Sequence, residues 1–194
     1  TASVSRALND RPGVSSELRE RVLAKAQEFN YTPNLNARGL ATSQTFNIGF
    51  FFHQKPGLPA SADPFYIEIM HSVQQIIARS EYHLTFETLS EDVLNRSTDF
   101  RFVRERRIDA MILAGPDIPN DFILAMLQTG IPLVLVDNRL EHSPVNCINS
   151  DDEQGAYLAA SHLIAAGHHR IGILSGPENW ASNTRRVRGY RRAL

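Results

Sequence analysis

The chain is poor in the features that mark secreted, membrane and disulfide-stabilised proteins. Cys147 is the one cysteine among 194 residues, so no internal disulfide can form, and the composition suits a reducing compartment. No apolar run approaches the ~20 residues that a membrane-spanning helix needs, and no charged-then-apolar leader opens the chain. We therefore expect a cytoplasmic protein with no membrane partner, in which Cys147 fills space on a core strand.

The chain also lacks an excess of either charge. It has 20 Lys and Arg against 21 Asp and Glu, a formal net charge of −1, so it does not have the overall basicity of a histone-like DNA-binding protein. Residues 1–44 are more basic, with six Lys or Arg against four Asp or Glu. Any DNA contact must therefore be local. With 42% hydrophobic residues, the chain can bury the core of one domain and part of another.

No catalytic or metal-binding pattern stands out in the sequence. The glycines at Gly172 and Gly176 do not follow the G-x-G-x-x-G order of a dinucleotide site, and Pro177 comes directly after them. His168 and His169 adjoin each other at the end of a predicted helix, where they are better explained as a cap that favours the helix dipole than as metal ligands. No Ser, His and Asp spacing is diagnostic. We expect neither an enzyme nor a bound cofactor.

From Phe46 onward the sequence alternates short apolar segments with longer amphipathic ones. Strands are predicted at residues 48–52, 83–88, 110–114, 133–136 and 170–174. Helices are predicted at residues 65–79, 95–107, 120–129, 152–166 and 183–194, the fourth of them capped by Asp151. Buried strands separated by helices of this length form right-handed βαβ crossovers and a parallel sheet. We therefore predict an α/β body of the flavodoxin or Rossmann style.

The first nine residues have the period of a helix, with Val4 and Leu8 on one face and the polar side chains largely on the other. A second helix follows, capped by Ser15, and it would back the first through its periodic apolar positions: Leu18, Val22, Ala26 and Phe29. After Pro33 a helix at residues 35–41 is predicted, too short to be stable without a partner. The pattern is typical of a capped surface helix, or of the second half of a helix-turn-helix that presents polar side chains to DNA.

Five signatures that fall in register narrow this choice. They are Val4-Ser5-Arg6, Leu8-Asn9, Val14-Ser15, Tyr31-Thr32-Pro33-Asn34 and Ala37-Arg38-Gly39-Leu40-Ala41. In this order and spacing they resemble the lactose-repressor (LacI/GalR) family of bacterial transcription regulators, and the resemblance continues through nearly all of the chain. It implies that residues 1–31 are part of a helix-turn-helix DNA-binding head and that residues 32–45 are a hinge helix and linker.

The resemblance implies a DNA-binding role for nine residues. The expected major-groove readers are Thr1, Ala2 and Arg6, and the expected phosphate contacts are Ser3, Ser5 and Asn9. In the hinge, Leu40 matches the wedge that such proteins insert into the minor groove, with Asn34 and Arg38 beside it. The expected partner is a pseudo-palindromic operator bound by a homodimer, whose subunits meet along the first core helix around residues 67–77.

Ligands of α/β sheets bind outside the carboxyl ends of the strands, so the residues just after each strand are candidates for binding. Aromatic rings, a carboxylate and an arginine occur there, a combination that suits a sugar. The candidates are Phe65, Tyr66, Asp137, Trp180, Ser182 and Arg186. The resemblance implies the same six residues, in a cleft between two lobes similar to those of periplasmic sugar-binding proteins. It also implies that an effector bound there, most simply a sugar, controls DNA affinity.

Residues 46–148 are expected to form the first lobe, and residues 149–194 the start of a second. Two strands and two helices cannot close a sheet domain, so we expect this second lobe to be incomplete. The sequence departs from the family pattern in the loop at residues 53–63, which is longer than usual, and at Trp180, where a smaller or polar side chain is common. These departures leave the placement of Phe65 and Tyr66, and the choice of effector, open.

Two other classes of function stay open at this point. A stand-alone sugar-binding transport protein would share the core but would have no use for residues 1–44. An α/β enzyme would need a reactive group at the strand ends, and none is convincing. The five arginines from Arg185 to Arg192, apart from Arg186, are expected to form a solvated helix face, with a second nucleic-acid patch as the alternative. The sequence as a whole favours a ligand-responsive transcription regulator, most simply a repressor.

Overall fold

A computed structural model of the chain describes residues 2–8, 10, 12–31, 39, 42–53 and 63–194. The chain divides into two compact units, Thr1–Gln44 and Thr45–Leu194. Five of the predicted DNA-binding residues lie outside the described residues: Thr1, Asn9, Asn34, Arg38 and Leu40. The contacts assigned to these five from the sequence therefore stay predictions.

The first unit contains helix α1 (Ala2–Leu8) and helix α2 (Ser16–Glu28), which pack against each other. The Ser15 hydroxyl accepts a hydrogen bond from the Leu18 backbone N–H at 3.3 Å, which confirms the predicted N-cap. Ala7 is buried, but α2 has no buried side chain. Within its described residues, this unit therefore has almost no core of its own.

The second unit is built on a parallel sheet of five strands, which confirms the predicted α/β class. The strands are β1 (Asn47–His53), β2 (His83–Leu89), β3 (Ala110–Ala114), β4 (Leu133–Val136) and β5 (Asn146–Ile148). Their order across the sheet is β2-β1-β3-β4-β5, and every neighbouring pair is parallel. In this flavodoxin-like order the strands that follow β1 lie on both sides of it, which makes β1 and β3 the place where the strand order reverses.

Helices connect the strands and follow the last one. They are α3 (Pro64–Ile77), α4 (Glu91–Asn95), α5 (Arg101–Arg104), α6 (Asn120–Gln128), α7 (Asp152–Ala165) and α8 (Ala181–Ala193). The Asp63 side chain caps α3 by accepting from the Phe65 N–H at 3.0 Å, and Asp151 caps α7 by accepting from the Gln154 N–H at 3.2 Å. The predicted cap at Asp151 is confirmed.

The predicted helix at residues 95–107 is wrong. In its place the chain forms α4, a short 3-10 turn at Ser97–Asp99, and α5. Phe100 and Phe102 are both buried, although residues two apart point about 200° apart around an α-helix. Since a continuous helix could turn only one of the two rings into the core, the backbone breaks between them.

The predicted strand at residues 170–174 is also wrong. These residues pair with none of the described strands, and the Leu174 side chain is fully exposed. An apolar segment becomes a strand only where a neighbour completes its backbone hydrogen bonds. The segment is instead tied to α8, because the Tyr190 hydroxyl donates a hydrogen bond to the Ile171 carbonyl at 2.7 Å.

The sheet carries an apolar cluster on each face. On one face Phe51 packs among buried side chains of the neighbouring strands and α6: Met111, Leu113, Phe122, Ile123, Met126 and Leu135. On the other face Phe50 and Phe52 pack with the first turn of α3, as the strand's period of two requires. Cys147 on β5 is partly buried against the first cluster, which confirms its predicted role. The two clusters hold β1 rigidly, and its carboxyl end carries the candidate site.

Candidate functional site

The point where the strand order reverses brings together residues from distant parts of the chain. The Tyr66 hydroxyl, from the first turn of α3, donates a hydrogen bond to Asp137 Oδ2 at 2.8 Å. The Tyr66 ring stacks against Phe52 of β1 with its centroid 6.3 Å away, so the sheet fixes its position. Two of the six predicted effector residues therefore touch directly.

The backbone at Asp137 turns its carboxylate toward Tyr66. Asp137 has φ 53, in the left-handed region that few residues with a side chain adopt, and its N–H donates to the Ile148 carbonyl at 3.0 Å. Burial, and then the charge of Asp137 and the hydrogen bond to it, raises the pKa of the Tyr66 hydroxyl above its ordinary value. Tyr66 is therefore a neutral donor throughout the physiological range.

A second carboxylate, Asp117, lies close to this pair. Gly115 follows β3 with φ 125, and a Cβ placed on it would lie 3.1 Å from Asp117 Oδ1 and 3.7 Å from the Tyr66 hydroxyl. Only glycine accommodates both this backbone conformation and this crowding. The charge of Asp117 also contributes to the raised pKa of Tyr66. Gly115 thus allows two carboxylates and a phenol to approach one another at the end of the sheet.

His53, the last residue of β1, joins the same group. Its Nδ1 lies 3.0 Å from Asp117 Oδ2, a hydrogen bond whose direction depends on the tautomer. Its Nε2 lies 3.1 Å from Glu91 Oε1, within ion-pair distance but without the geometry of a hydrogen bond. The His53 side chain is 9% exposed. The sheet edge therefore carries two hydrogen-bonded pairs, Tyr66 with Asp137 and His53 with Asp117, an arrangement suited to a ligand rich in hydroxyl groups.

Asn138 fixes the loops that carry these groups. Its side chain is buried, and its amide donates to the Gly115 carbonyl at 2.7 Å and to the Ile118 carbonyl at 3.3 Å. Its oxygen accepts from the Arg139 N–H at 2.7 Å. The loop after β4 is thereby tied to the loop after β3, so Asp117 and Asp137 keep their relative positions.

Phe65 lies next to Tyr66 but faces outward. Its ring is 47% exposed and meets the Tyr66 ring edge-on, with centroids 5.1 Å apart. The other three predicted effector residues lie together at the start of α8. Trp180 is the half-buried N-cap residue, Ser182 is buried, and Arg186 Nε donates to Asp152 Oδ1 on α7 at 2.8 Å. Asp152 is itself buried, so Arg186 serves at least partly to hold α7 and α8 together.

A cleft of about 1040 Å³ opens between the loops after β3 and β4 and the first turns of α8. None of the six predicted effector residues lines it. Its walls include Asp117, Asn138, Arg139, Arg185 and Arg188. Arg139 directly follows the predicted residue Asp137 in sequence, and Arg185 directly precedes Arg186. The cleft is therefore lined by residues that are adjacent in sequence to predicted effector residues of both the sheet edge and α8.

On the first unit, α1 presents polar side chains to the outside. Ser3, Ser5 and Arg6 are exposed, and Ala2 begins the helix. The Arg6 guanidinium lies near the turn at Gly13, where an added Cβ would be 3.4 Å from Nη1. Three of the predicted DNA ligands thus have exposed side chains on a single helix, as base or phosphate contacts require.

Two kinds of site have no counterpart in the part of the chain that the structure describes. None of its helices combines the length and the apolar character needed to cross a membrane. In the same residues, no group of three or more His, Cys, Asp or Glu side chains is placed to hold a metal ion.

Comparison with known proteins assigns the family. Residues 1–34 match the model of the bacterial regulatory proteins of the lacI family, and residues 57–194 match the model of periplasmic binding proteins and the sugar-binding domain of the LacI family. The chain belongs to the LacI family. This confirms the resemblance that the five signatures carried, and the first matched range contains α1 and α2 together.

Two of the LacI-family relatives that match are described as repressors. A probable HTH-type transcriptional repressor ExuR of Bacillus subtilis is 32% identical over 99% of this chain and 56% of its own length. The ribose operon repressor of Haemophilus influenzae is 31% identical over 100% of this chain and 56% of its length. The crystal structure of the Lac repressor dimer bound to operator and an anti-inducer has a TM-score of 0.76 at 25% identity, covering 100% of this chain and 57% of that one. The chain thus spans a little over half the length of the LacI-family relatives that it matches.

Four residues of the LacI-family sheet edge were not assigned a role from the sequence. His53, Gly115, Asp117 and Asn138 all lie at or just after the end of a strand, where ligands are expected. That rule could have found them. What the sequence could not show is that β1 and β3 are neighbours, which places His53 beside Asp117 although 64 positions separate them.

Proposed function

We propose that this LacI-family chain belongs to a cytoplasmic transcription repressor that binds a specific operator and releases or engages it in response to a small effector. The proposal rests on two features that occur on the same chain. One is the exposed polar helix α1, which lies in the range that matches the LacI regulatory-protein model. The other is a polar site at the point where the strand order of a parallel sheet reverses. The first part contacts DNA, and the second part binds the effector. Catalysis is not part of the proposal.

The DNA contacts follow from the chemistry of α1. Arg6 offers paired donors that match the two acceptors on the major-groove edge of guanine, while Ser3 and Ser5 are suited to phosphate oxygens. Thr1, Ala2 and Asn9 are proposed to contact DNA as well. Leu40, flanked by Asn34 and Arg38, is the proposed wedge in the minor groove. A kinked, pseudo-palindromic operator fits this set.

The proposed effector is a hydroxyl-rich molecule such as a sugar. Tyr66 and Asp137 supply a hydrogen-bonded phenol and carboxylate, which match the hydroxyl groups of a sugar. The exposed Phe65 ring supplies an aromatic face for the C–H face of the sugar ring. Trp180, Ser182 and Arg186 would close over the opposite side. Effector binding shifts the equilibrium between two arrangements of the chain that differ in DNA affinity.

The proposed assembly is a homodimer formed along α3. Its exposed apolar residues include Ile67 at 38% and Ile76 at 71% exposure. A helix face of this kind is stabilised by contact with a second copy. Two copies would place two α1 helices on the two halves of a pseudo-palindromic operator. Sedimentation analysis of Ile76→Glu should give a weaker dimer than the wild-type chain, and an unchanged self-association would argue against this face.

The test of the function is operator binding measured by fluorescence anisotropy. A labelled pool of pseudo-palindromic duplexes is titrated with the chain at two salt concentrations, with and without a panel of sugars. We expect binding that weakens at higher salt and changes with one sugar of the panel. Arg6→Ala should cost about 1–3 kcal/mol of binding and relax specificity at one position of the operator. Arg191→Ala, an exposed arginine of α8, is the control and should leave operator binding unchanged.

The opposite results are equally informative. Binding that does not depend on salt or on duplex sequence would contradict the repressor proposal. Uniform weakening of all duplexes by Arg6→Ala would show that Arg6 contacts phosphate and does not read a base.

A further inference from the structure

The cleft beside the sheet-edge site is lined by three arginines, and two of them have no ion-pair partner among the described residues. Arg139 on the loop after β4 and Arg185 and Arg188 on α8 all line it, together with His142. Arg188 Nη1 lies 3.6 Å from Glu153 Oε2, a loose pair on an exposed side chain. Within the described part of the chain, neither Arg139 nor Arg185 forms an ion pair.

The described acidic residues of the same cleft form no ion pair with these arginines. Asp117 lines the cleft, but one of its oxygens is engaged by His53 at 3.0 Å. Glu141, the other carboxylate of the lining, is exposed. A half-buried guanidinium such as that of Arg185 loses part of its hydration without an ion-pair partner in return. An anion in the cleft would offset this cost.

We infer that the effector of this chain carries an anionic group, a carboxylate or a phosphate, which Arg139 and Arg185 bind while the sheet-edge residues bind its hydroxyl groups. The inference rests on the proposed function, since it specifies the chemical class of the effector: a sugar acid or a sugar phosphate. Guanidinium groups bind both anions through paired hydrogen bonds. Asp137, Tyr66 and Asp117 supply acceptors and donors for hydroxyl groups at the neighbouring sheet edge.

The shape of the site favours a small anion over nucleic acid. The arginines line a concave space of about 1040 Å³ between loops and a helix, which suits a molecule of the size of a sugar phosphate. A duplex contacts arginines that project from a convex or flat surface toward its phosphates. The alternative is a nucleic-acid-binding patch on α8, and the experiment must be able to detect it.

The experiment is isothermal titration calorimetry of the chain with matched sets of ligands. Glucose, glucuronate and glucose 6-phosphate form one set, and galactose, galacturonate and galactose 6-phosphate form the other. We expect one anionic sugar to bind at least tenfold more tightly than its neutral parent. Arg185→Gln, and independently Arg139→Gln, should remove most of that preference. Arg191→Gln, a matched charge removal elsewhere on α8, should retain it.

A second measurement does not depend on the choice of sugar. Inorganic phosphate should raise the thermal unfolding temperature of the wild-type chain above that in sodium chloride of equal ionic strength, and Arg185→Gln should abolish the difference. Within each calorimetric set, the comparison of the uronate with the sugar phosphate distinguishes a carboxylate from a phosphate. Circular dichroism of each variant shows whether it is folded.

Specific results would overturn the inference. They are a neutral sugar that binds as tightly as its acid and phosphate, an anion preference that survives both arginine substitutions, or no anionic sugar binding together with no effect of phosphate. Loss of operator affinity in Arg185→Gln without any effector would assign the arginines to nucleic acid instead. These outcomes are distinct from failure of the repressor proposal, which would appear as absence of operator binding by the wild-type chain and would leave the calorimetric comparison intact.

Discussion

In the sheet unit Phe50, Phe51 and Leu113 are completely buried, whereas in the first unit α2 buries no side chain at all. The apolar residues of α1 and α2, among them Val4, Leu18 and Phe29, instead line an open groove of about 790 Å³. The sheet unit therefore derives its stability from its own interior, while the first unit depends on caps and short-range contacts. We therefore expect the first unit to gain order when it binds the proposed operator, and the sheet unit to stay folded with or without it.

The largest expected difference between the two units concerns matched phenylalanines. Phe51→Ala removes a ring from the centre of the sheet and should cost about 3–5 kcal/mol of unfolding free energy. Phe29→Ala removes a ring that is 74% exposed and should change the unfolding free energy by less than about 0.5 kcal/mol. Urea unfolding followed by circular dichroism measures both. Similar costs for the two substitutions would contradict the comparison.

Much of this architecture could be predicted from the sequence, because buried strands carry their own signal. The apolar runs beginning at Ile48, Ala110 and Leu133 gave strands close to those observed, since a central parallel strand is apolar on both faces. The segment around Phe100 and Phe102 could not be predicted, because its helical period conflicts with the need to bury both rings. The strand predicted at residues 170–174 was wrong for a different reason. A strand forms only where a neighbouring strand pairs with it, and the local sequence pattern does not reveal that neighbour.

The candidate site, too, could be predicted from the sequence only in part. Tyr66 and Asp137 could be chosen because they follow predicted elements, and the structure brings them to 2.8 Å. The contact between His53 and Asp117 depends on the register of β1 against β3, in which Phe52 pairs with Ala114. Register is set by packing across the whole sheet, so the sequence of either segment alone does not contain it.

The next prediction concerns the hydrogen bond at the sheet edge. Tyr66→Phe leaves the Asp137 carboxylate without its phenol donor and should cost about 1.5–3 kcal/mol of unfolding free energy near neutral pH. Tyr82→Phe, in the same unit, is the control and should cost far less. Chemical denaturation of the three proteins measures the difference. Equal stability of wild type and Tyr66→Phe would show that water replaces the donor without loss.

The same tyrosine predicts an alkaline effect. Since the folded chain raises the pKa of Tyr66 above the ordinary value of about 10, the unfolded chain releases this proton first as the pH rises. The stabilisation is therefore complete below pH ~10 and is lost progressively above it. Unfolding free energies measured from pH 8 to 11 should fall more steeply for wild type than for Tyr66→Phe. Parallel curves would contradict the prediction.

A somewhat smaller effect is expected from the glycine at the end of β3. Gly115→Ala forces a side chain into a left-handed backbone position beside Asp117 and should cost about 1–3 kcal/mol. Gly155→Ala is the matched control, because its added Cβ on α7 meets nothing within 4 Å and should stabilise the helix by about 0.5–1 kcal/mol. Opposite signs in a thermal unfolding comparison are the expected result. A stabilising Gly115→Ala would show that the crowding around Asp117 relaxes freely.

The smallest expected effect falls on the first unit and tests most directly how that unit is stabilised. Ser15→Ala removes the cap of α2 and should cost about 1 kcal/mol, roughly a fivefold change in the ratio of folded to unfolded molecules for a unit with little else to stabilise it. Ser16→Ala, one residue later and inside the helix, is the control and removes no cap. We expect Ser15→Ala to weaken operator binding by a similar factor while urea unfolding of the sheet unit is unchanged. If both measurements moved together, the two units would be thermodynamically coupled, and DNA affinity could not be adjusted through the head alone.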